Sequence, residues 1–266
     1  MHANSWYSGH MDDNLASLLY AIDWHNTWRP AALLLLSGRS PYDCEWFFGP
    51  PWAIFPLLPL ALLPETIGRL ILLLLCFILF ALAALRLGAG RLSLIIFLLS
   101  PVVLHSLSTG NLDALVLFGA VLPPWLGLFF VSVKPQMGLP LALFWAVEAW
   151  RAGGYRRVVG TFAPVSLALS LSFVLYGPWP LRAASLAQQS WNASLWPWSI
   201  PVGLALVAWS LKRQSDRPAL AAGPFVSPYV SFQSYSACLL ALVNRPRWLC
   251  AASAGLWALV AISAYT

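Results

Sequence analysis

The stretch "LILLLLCFILFALAAL", residues 70–85, runs without a polar side chain between Arg69 and Arg86. A bilayer is crossed by a helix of about 20 largely apolar residues. An uninterrupted run bounded by arginines therefore reads as a span, whereas a surface helix would show one apolar stripe. Similar runs follow at 92–112, 114–133, 158–181, 183–211, 218–244 and 248–266. Over all 266 residues, 60% are hydrophobic and 9% are charged, against roughly 25% charged in a soluble domain. The fold class read from this is all-α, a polytopic transmembrane helical bundle.

The net charge of +6 does not point to nucleic acid. Ten of the fifteen basic residues fall in four clusters between apolar runs: Arg86/Arg91, Arg151/Arg156/Arg157, Lys212/Arg213/Arg217 and Arg245/Arg247. The positive-inside rule places such clusters on the cytoplasmic side, so an even number of crossings separates each from the next. On that scheme 69–85 comes inward, 92–107 goes out and 111–122 returns. "PPWLGLFFVSVKPQ" then reaches outward and 136–150 returns. Next, 158–177 goes out and 195–211 returns, 218–229 goes out and 231–244 returns, and 248–265 goes out.

This topology leaves Asp12, Asp13, Asp23, Asp43, Glu45, Glu65 and Asp113 on the outer face. Residues 1–65 form an external N-terminal region and 66–266 the bundle. Residues 1–22 show neither a cleavable signal peptide nor a spanning helix. "NTWRPAALLLLSG", residues 26–38, reads as a short interfacial helix with Pro30 in its first turn and Gly38 past its end. "WFFGPPWAIFPLLPLALLP", residues 46–64, carries five prolines. It reads as an interfacial or re-entrant piece, with Trp46 and Trp52 at headgroup level.

Asp23, in "AIDWHNTW" (21–28), is a carboxylate between apolar and aromatic neighbours. Desolvation there would raise its pKa and make it a better proton acceptor; the other reading is a solvated or capping acid, and Asp12 and Asp13 compete for the role. In "STGNLDAL" (108–115), Asn111 and Asp113 either form a turn and helix start or bind sugar hydroxyls. Lys134, within an apolar region, either meets a ligand phosphate or snorkels to the interface. Arg182 either reaches the same phosphate or anchors its loop. "NAS" at 192–194 matches the glycosylation pattern in three residues only. His25 and His105 lack ligand-spaced partners, so no metal site is expected, and Cys44, Cys76, Cys238 and Cys250 read as inert thiols.

Taken in order, "DWHNTWRPAALLLLSGRSPYD" (23–43), "GPPWAIFPLLPLALLP" (49–64), "GNLDALVLF" (110–118) and "VKPQ" (133–136) resemble the integral-membrane glycosyltransferases of the GT-C superfamily. The similarity is to bacterial polyprenyl-phosphate-mannose-dependent mannosyltransferases. It covers about residues 20–160, and "SPYVSFQSYS" (227–236) is a late external turn of similar character. The resemblance implies transfer of a sugar, a mannose-like hexose, from a polyprenyl-phosphate donor on the outer face of the cell membrane. Asp23 would be the general base, Lys134 and Arg182 would hold the donor phosphate, and Tyr42, Asp43, Asn111 and Asp113 would bind substrate. No cofactor or metal is implied, since a single displacement needs one base. Members carry a spanning helix just before the acid, so here either the start is truncated, a partner subunit supplies that helix, or the chain is a relic that keeps the fold without the chemistry. A non-catalytic accessory subunit that binds a lipid or a partner protein is the alternative reading. A transporter is disfavoured: no inverted repeat is visible, and the polar residues gather on one face.

Overall fold

The computed structural model describes residues 20–265, so Asp12 and Asp13 lie outside the described residues. Within them the chain is all-helical, with no strand. It opens with a π-helical turn, Trp24–Trp28, that runs directly into α1 (Arg29–Leu36). Pro30 sits in the first turn of α1, and Gly38 follows its end at φ 75°. The proline-rich stretch forms short turns, Pro51–Ala53, Phe55–Leu57 and Leu58–Ala61, and no long helix. Trp52 is half-buried and donates its indole N–H to the Phe129 carbonyl at 2.9 Å. Its ring packs edge-on against Phe129.

The run quoted first becomes α2 (Glu65–Arg86). Pro64 precedes it, Glu65 lies in its first turn and Arg86 in its last, each charge complementing the helix dipole. Gly68, Leu72, Cys76, Phe80 and Ala84 are buried, four residues apart, while Leu70, Leu74, Phe77, Ile78 and Leu85 are exposed. One face therefore packs on protein, and the apolar opposite face suits lipid. A β-carbon at Gly68 would lie 2.5 Å from the Leu60 carbonyl oxygen, so the glycine is what lets the proline-rich stretch lie against α2.

α3 (Arg91–Leu98) and α4 (Pro101–Thr109) meet at a 52° bend. The cause is Pro101, which cannot continue the α3 hydrogen-bond ladder; the Ser100 hydroxyl satisfies the Phe97 carbonyl instead, at 2.6 Å. α5 (Asp113–Gly119) and α6 (Pro124–Val131) form a short pair packed so closely that a β-carbon on Gly127 would lie 2.5 Å from the Gly119 oxygen. α7 (Pro135–Tyr176) has 42 residues and is interrupted at Gly153–Gly154, where Gly154 takes φ 61° and ψ −154°. Lys134 ties its start to Asp113, and Tyr176 at its far end touches Tyr42. Its middle, at Arg151, donates to the Leu211 carbonyl, so the element leaves one end of the molecule and returns to it. α8 (Ile200–Arg213), α9 (Asp216–Val226), α10 (Ser236–Ala241) and α11 (Pro246–Tyr265) complete the chain.

α2, α7 and α11 are long and apolar enough to cross a membrane, and the bent α3–α4 pair would make a fourth span. The crossings read from sequence at 111–122, 218–229 and 231–244 rest on short pieces. Their helices α5, α9 and α10 have 7, 11 and 6 residues, roughly 9–17 Å at 1.5 Å per residue, against a hydrocarbon core of about 30 Å. Hydropathy registered them because they are buried in protein: Asp113 to Leu117 are all buried.

The turns between helices sort into two ends. Arg217 donates to the Leu87 carbonyl and Arg151 to that of Leu211, which brings the basic clusters together. At the opposite end the N–H of Ala21 donates to the Ser108 carbonyl at 3.0 Å, and that of Ala193 to Val230 at 2.7 Å. The carboxylates of the candidate site lie at this second end.

Gly110 locks that end. It stops α4 in the left-handed region (φ 68°, ψ 32°), while the N–H of Asn111 reaches back to the Ser106 carbonyl at 3.0 Å, a helix stop that favours glycine. A β-carbon at Gly110 would lie 2.7 Å from that of Ala21. Gly110→Ala should therefore push the 21–28 turn off α4 and lower stability by about 1–3 kcal/mol, read as a lower unfolding midpoint in detergent.

Candidate functional site

The Gly110 stop aims Asn111 at the N-terminal turn. The Asn111 side-chain oxygen accepts the Leu112 N–H at 2.7 Å, leaving its amide N–H to donate to Asp23 Oδ2 at 2.6 Å. The backbone thus fixes which way the amide points, since the oxygen is already used. Asp23 is half-buried, and its pKa is pushed up from 3.8 to about 6. Burial is the dominant cause; the nearby Lys134 charge and the Asn111 hydrogen bond pull the other way, and the Asp113 charge adds to the rise. Among its two sequence readings, the partly desolvated acid is the one the structure shows.

Beneath Asp23 lies a buried ion pair. Lys134 Nζ donates to Asp113 Oδ1 at 2.9 Å; Asp113 is 0% exposed and Lys134 7%. The hydroxyls of Ser106 and Ser234 also donate to Asp113, at 3.2 and 3.4 Å. Lys134 therefore does not snorkel. Asp113 opens α5 without capping it and lies fully buried as the partner of Lys134.

Tyr42 and Arg182 form a second group. The Arg182 guanidinium donates to the Tyr42 carbonyl and lies 5.6 Å from the Tyr42 ring centre. The Tyr42 hydroxyl donates to the Gly49 carbonyl at 2.9 Å, and its ring stacks on Trp179. Burial and the neighbouring Tyr176 hydroxyl push the Tyr42 phenol up. Arg182 thus fastens the 177–199 loop to the N-terminal region. Asp43 pairs with Arg39 at 3.2 Å on an exposed surface, the ordinary (i, i+4) pairing of a solvated acid.

Tyr229, Ser106 and Ser234 were not assigned a role from sequence. Burial pushes the Tyr229 phenol up, with a smaller push from the Asp23 and Asp113 carboxylates, and its hydroxyl accepts the Trp191 indole N–H at 3.3 Å. The polar run "SPYVSFQSYS" was the available signal for Tyr229 and Ser234; nothing in the α4 sequence singled out Ser106. Among the described residues, no three His, Cys, Asp or Glu side chains come together in a way that could hold a metal.

No protein-family model, curated protein or solved structure matches the chain. Its chemistry is read from this arrangement: a proton acceptor with a pKa just below neutrality, aimed by an amide, above a buried ion pair and next to a phenol.

Proposed function

We propose that the chain is a GT-C-like membrane glycosyltransferase that moves a hexose from a polyprenyl-phosphate donor to an acceptor hydroxyl, on the membrane face opposite its basic clusters. The observation that carries this reading is Asp23, half-buried, aligned by Asn111 and raised to about 6. A general base works best with a pKa near the working pH. Asp23 takes the proton of the acceptor hydroxyl as that oxygen bonds to the sugar's anomeric carbon. The bond from that carbon to the phosphate oxygen breaks, and the polyprenyl phosphate leaves with the electron pair. Lys134 retains N–H donors beyond the one given to Asp113, and with Arg182 it supplies the positive charge for the departing phosphate. The apolar outer faces of α2 and α11 suit the lipid tail, and the half-buried Tyr229 phenol suits a sugar hydroxyl.

The test is transfer in membranes from a panel of labelled polyprenyl-phosphate sugars. Transfer by the wild type is expected from at least one hexose donor; none from any donor sinks the enzyme reading and favours an accessory subunit. The base must be ionised, so the rate should rise with pH and level off above about 6. Asn111→Ala removes a hydrogen bond that favours the ionised form. The midpoint of its profile should move upward by about one pH unit, the worth of a charge-assisted hydrogen bond of roughly 1.5 kcal/mol.

A further inference from the structure

The end of the molecule remote from Asp23 holds a cavity of about 280 Å³ between α3 and α11, lined by Gly88, Gly90, Arg91, Ser93, Asn244 and Pro246 among others. No carboxylate lines it. Two helices begin at its wall. α3 starts at Arg91, and its first helical hydrogen bond is that of the Leu94 N–H to the Gly90 carbonyl. α11 starts at Pro246, and the corresponding bond is that of the Leu249 N–H to Arg245. The N–H groups of Arg91, Leu92 and Ser93, and those of Arg247 and Trp248, therefore belong to first turns that lack intrahelical acceptors. Both helix dipoles present their positive ends to the same space.

A second, independent observation points to a ligand. Ser93 is 3% exposed and lines the cavity, and its hydroxyl has no hydrogen-bond partner among the described residues. Its oxygen is open to the cavity and not sealed in protein, so a ligand oxygen there would take the place of the water that otherwise meets it. Arg91 lines the same space, and Arg245 and Arg247 flank it in sequence. None of the three is in an ion pair among the described residues. The exposed Leu92 and Trp248 beside it are side chains suited to the boundary between headgroups and lipid tails.

We propose that this cavity is a phosphate site that takes the headgroup phosphate of an anionic membrane lipid, or a free phosphate of the same chemistry. The phosphate oxygens accept from the α3 and α11 N–H groups and from Ser93, with Arg91 as the charged partner. Basic pockets between spanning helices at the positively charged membrane face bind acidic lipids by the same physics. The site is separate from the proposed transferase chemistry, and its test needs no sugar transfer.

The experiment uses the full chain purified in a neutral detergent. Native mass spectrometry measures retention of phosphatidylglycerol against phosphatidylcholine, and a thermal-shift titration with inorganic phosphate forms the second arm. The wild type should retain phosphatidylglycerol in preference to phosphatidylcholine. Arg91→Gln and Ser93→Val should each lower that retention roughly tenfold, the effect of about 1.4 kcal/mol of lost contact. Arg157→Gln, at the Gly153–Gly154 break, should leave it unchanged, and elution as one folded species qualifies each variant. Inorganic phosphate that stabilises the wild type and displaces the lipid assigns the site to free phosphate, and stabilisation without displacement assigns the two to different places and overturns the lipid assignment. Equal retention of both lipids with no phosphate stabilisation overturns the proposal, as does full retention in both folded variants.

Discussion

If the proposed transfer holds, Asp23→Asn should abolish it while leaving a folded, inserted protein that is more stable than the wild type at pH 8. The loss should be on the order of 10²–10⁴-fold, the usual worth of a positioned general base, because asparagine preserves the shape and still accepts the Asn111 N–H but cannot take a proton. The stability change has the opposite sign. Folding raises the Asp23 pKa from 3.8 to about 6, so the folded state holds the proton more tightly than the unfolded one. That contribution is fully present below 3.8, fades as pH rises, and is gone above about 6, where the ionised carboxylate sits in a poorly hydrated place. The difference amounts to at most about 3 kcal/mol. Thermal unfolding at pH 8 should therefore favour the variant, and the advantage should shrink towards pH 4. A carboxylate kept for structure alone would behave in reverse, with its removal lowering stability. Equal transfer by both forms would leave Asp23 as a loop acid.

Much of this arrangement is legible along the chain, and what escapes does so for identifiable reasons. The α2 run, the Pro30–Gly38 helix and the break among Arg151, Arg156 and Arg157 are local signals. Each depends on residues near one another along the chain, and each stands where the pattern puts it. Hydropathy fails at α5, α9 and α10 because burial in protein and burial in lipid select the same residues; close contacts such as Gly119 with Gly127 and Gly223 with Met137 mark α5 and α9 as packed on protein, and each involves two helices. The site divides in the same way. Asp23, Asn111, Asp113 and Lys134 all stand out as polar residues in apolar surroundings. Their pairing does not, since Asp23 and Asn111 are 88 positions apart. Pairing also adds what neither residue shows alone: the partner of Asp113 is Lys134, 21 positions on. Asp43 shows the converse, a motif residue that turns outward once Arg39, four positions before it, offers a solvated partner.

The buried Asp113–Lys134 pair carries the largest expected effect on stability. Lys134→Met strands a fully buried carboxylate whose remaining partners are the hydroxyls of Ser106 and Ser234. Asp113→Asn strands an ammonium at 7% exposure. Breaking one side of such a pair costs about 3–5 kcal/mol, whereas replacing both charges is often close to neutral. The double variant Asp113→Asn/Lys134→Met should therefore recover most of the unfolding midpoint that either single change loses. The recovered protein then asks a second question of the site. The Lys134 charge lowers the Asp23 pKa and the Asp113 charge raises it. With both removed, the field at Asp23 changes less than with either alone. If Lys134 serves only to hold the fold, transfer by the double variant returns along with stability. If Lys134 also meets the departing phosphate, stability returns and transfer does not, because methionine offers that phosphate neither a charge nor a donor. An unfolding midpoint in the double variant as low as in the worse single variant would show that the two charges are not coupled, against the 2.9 Å contact between them.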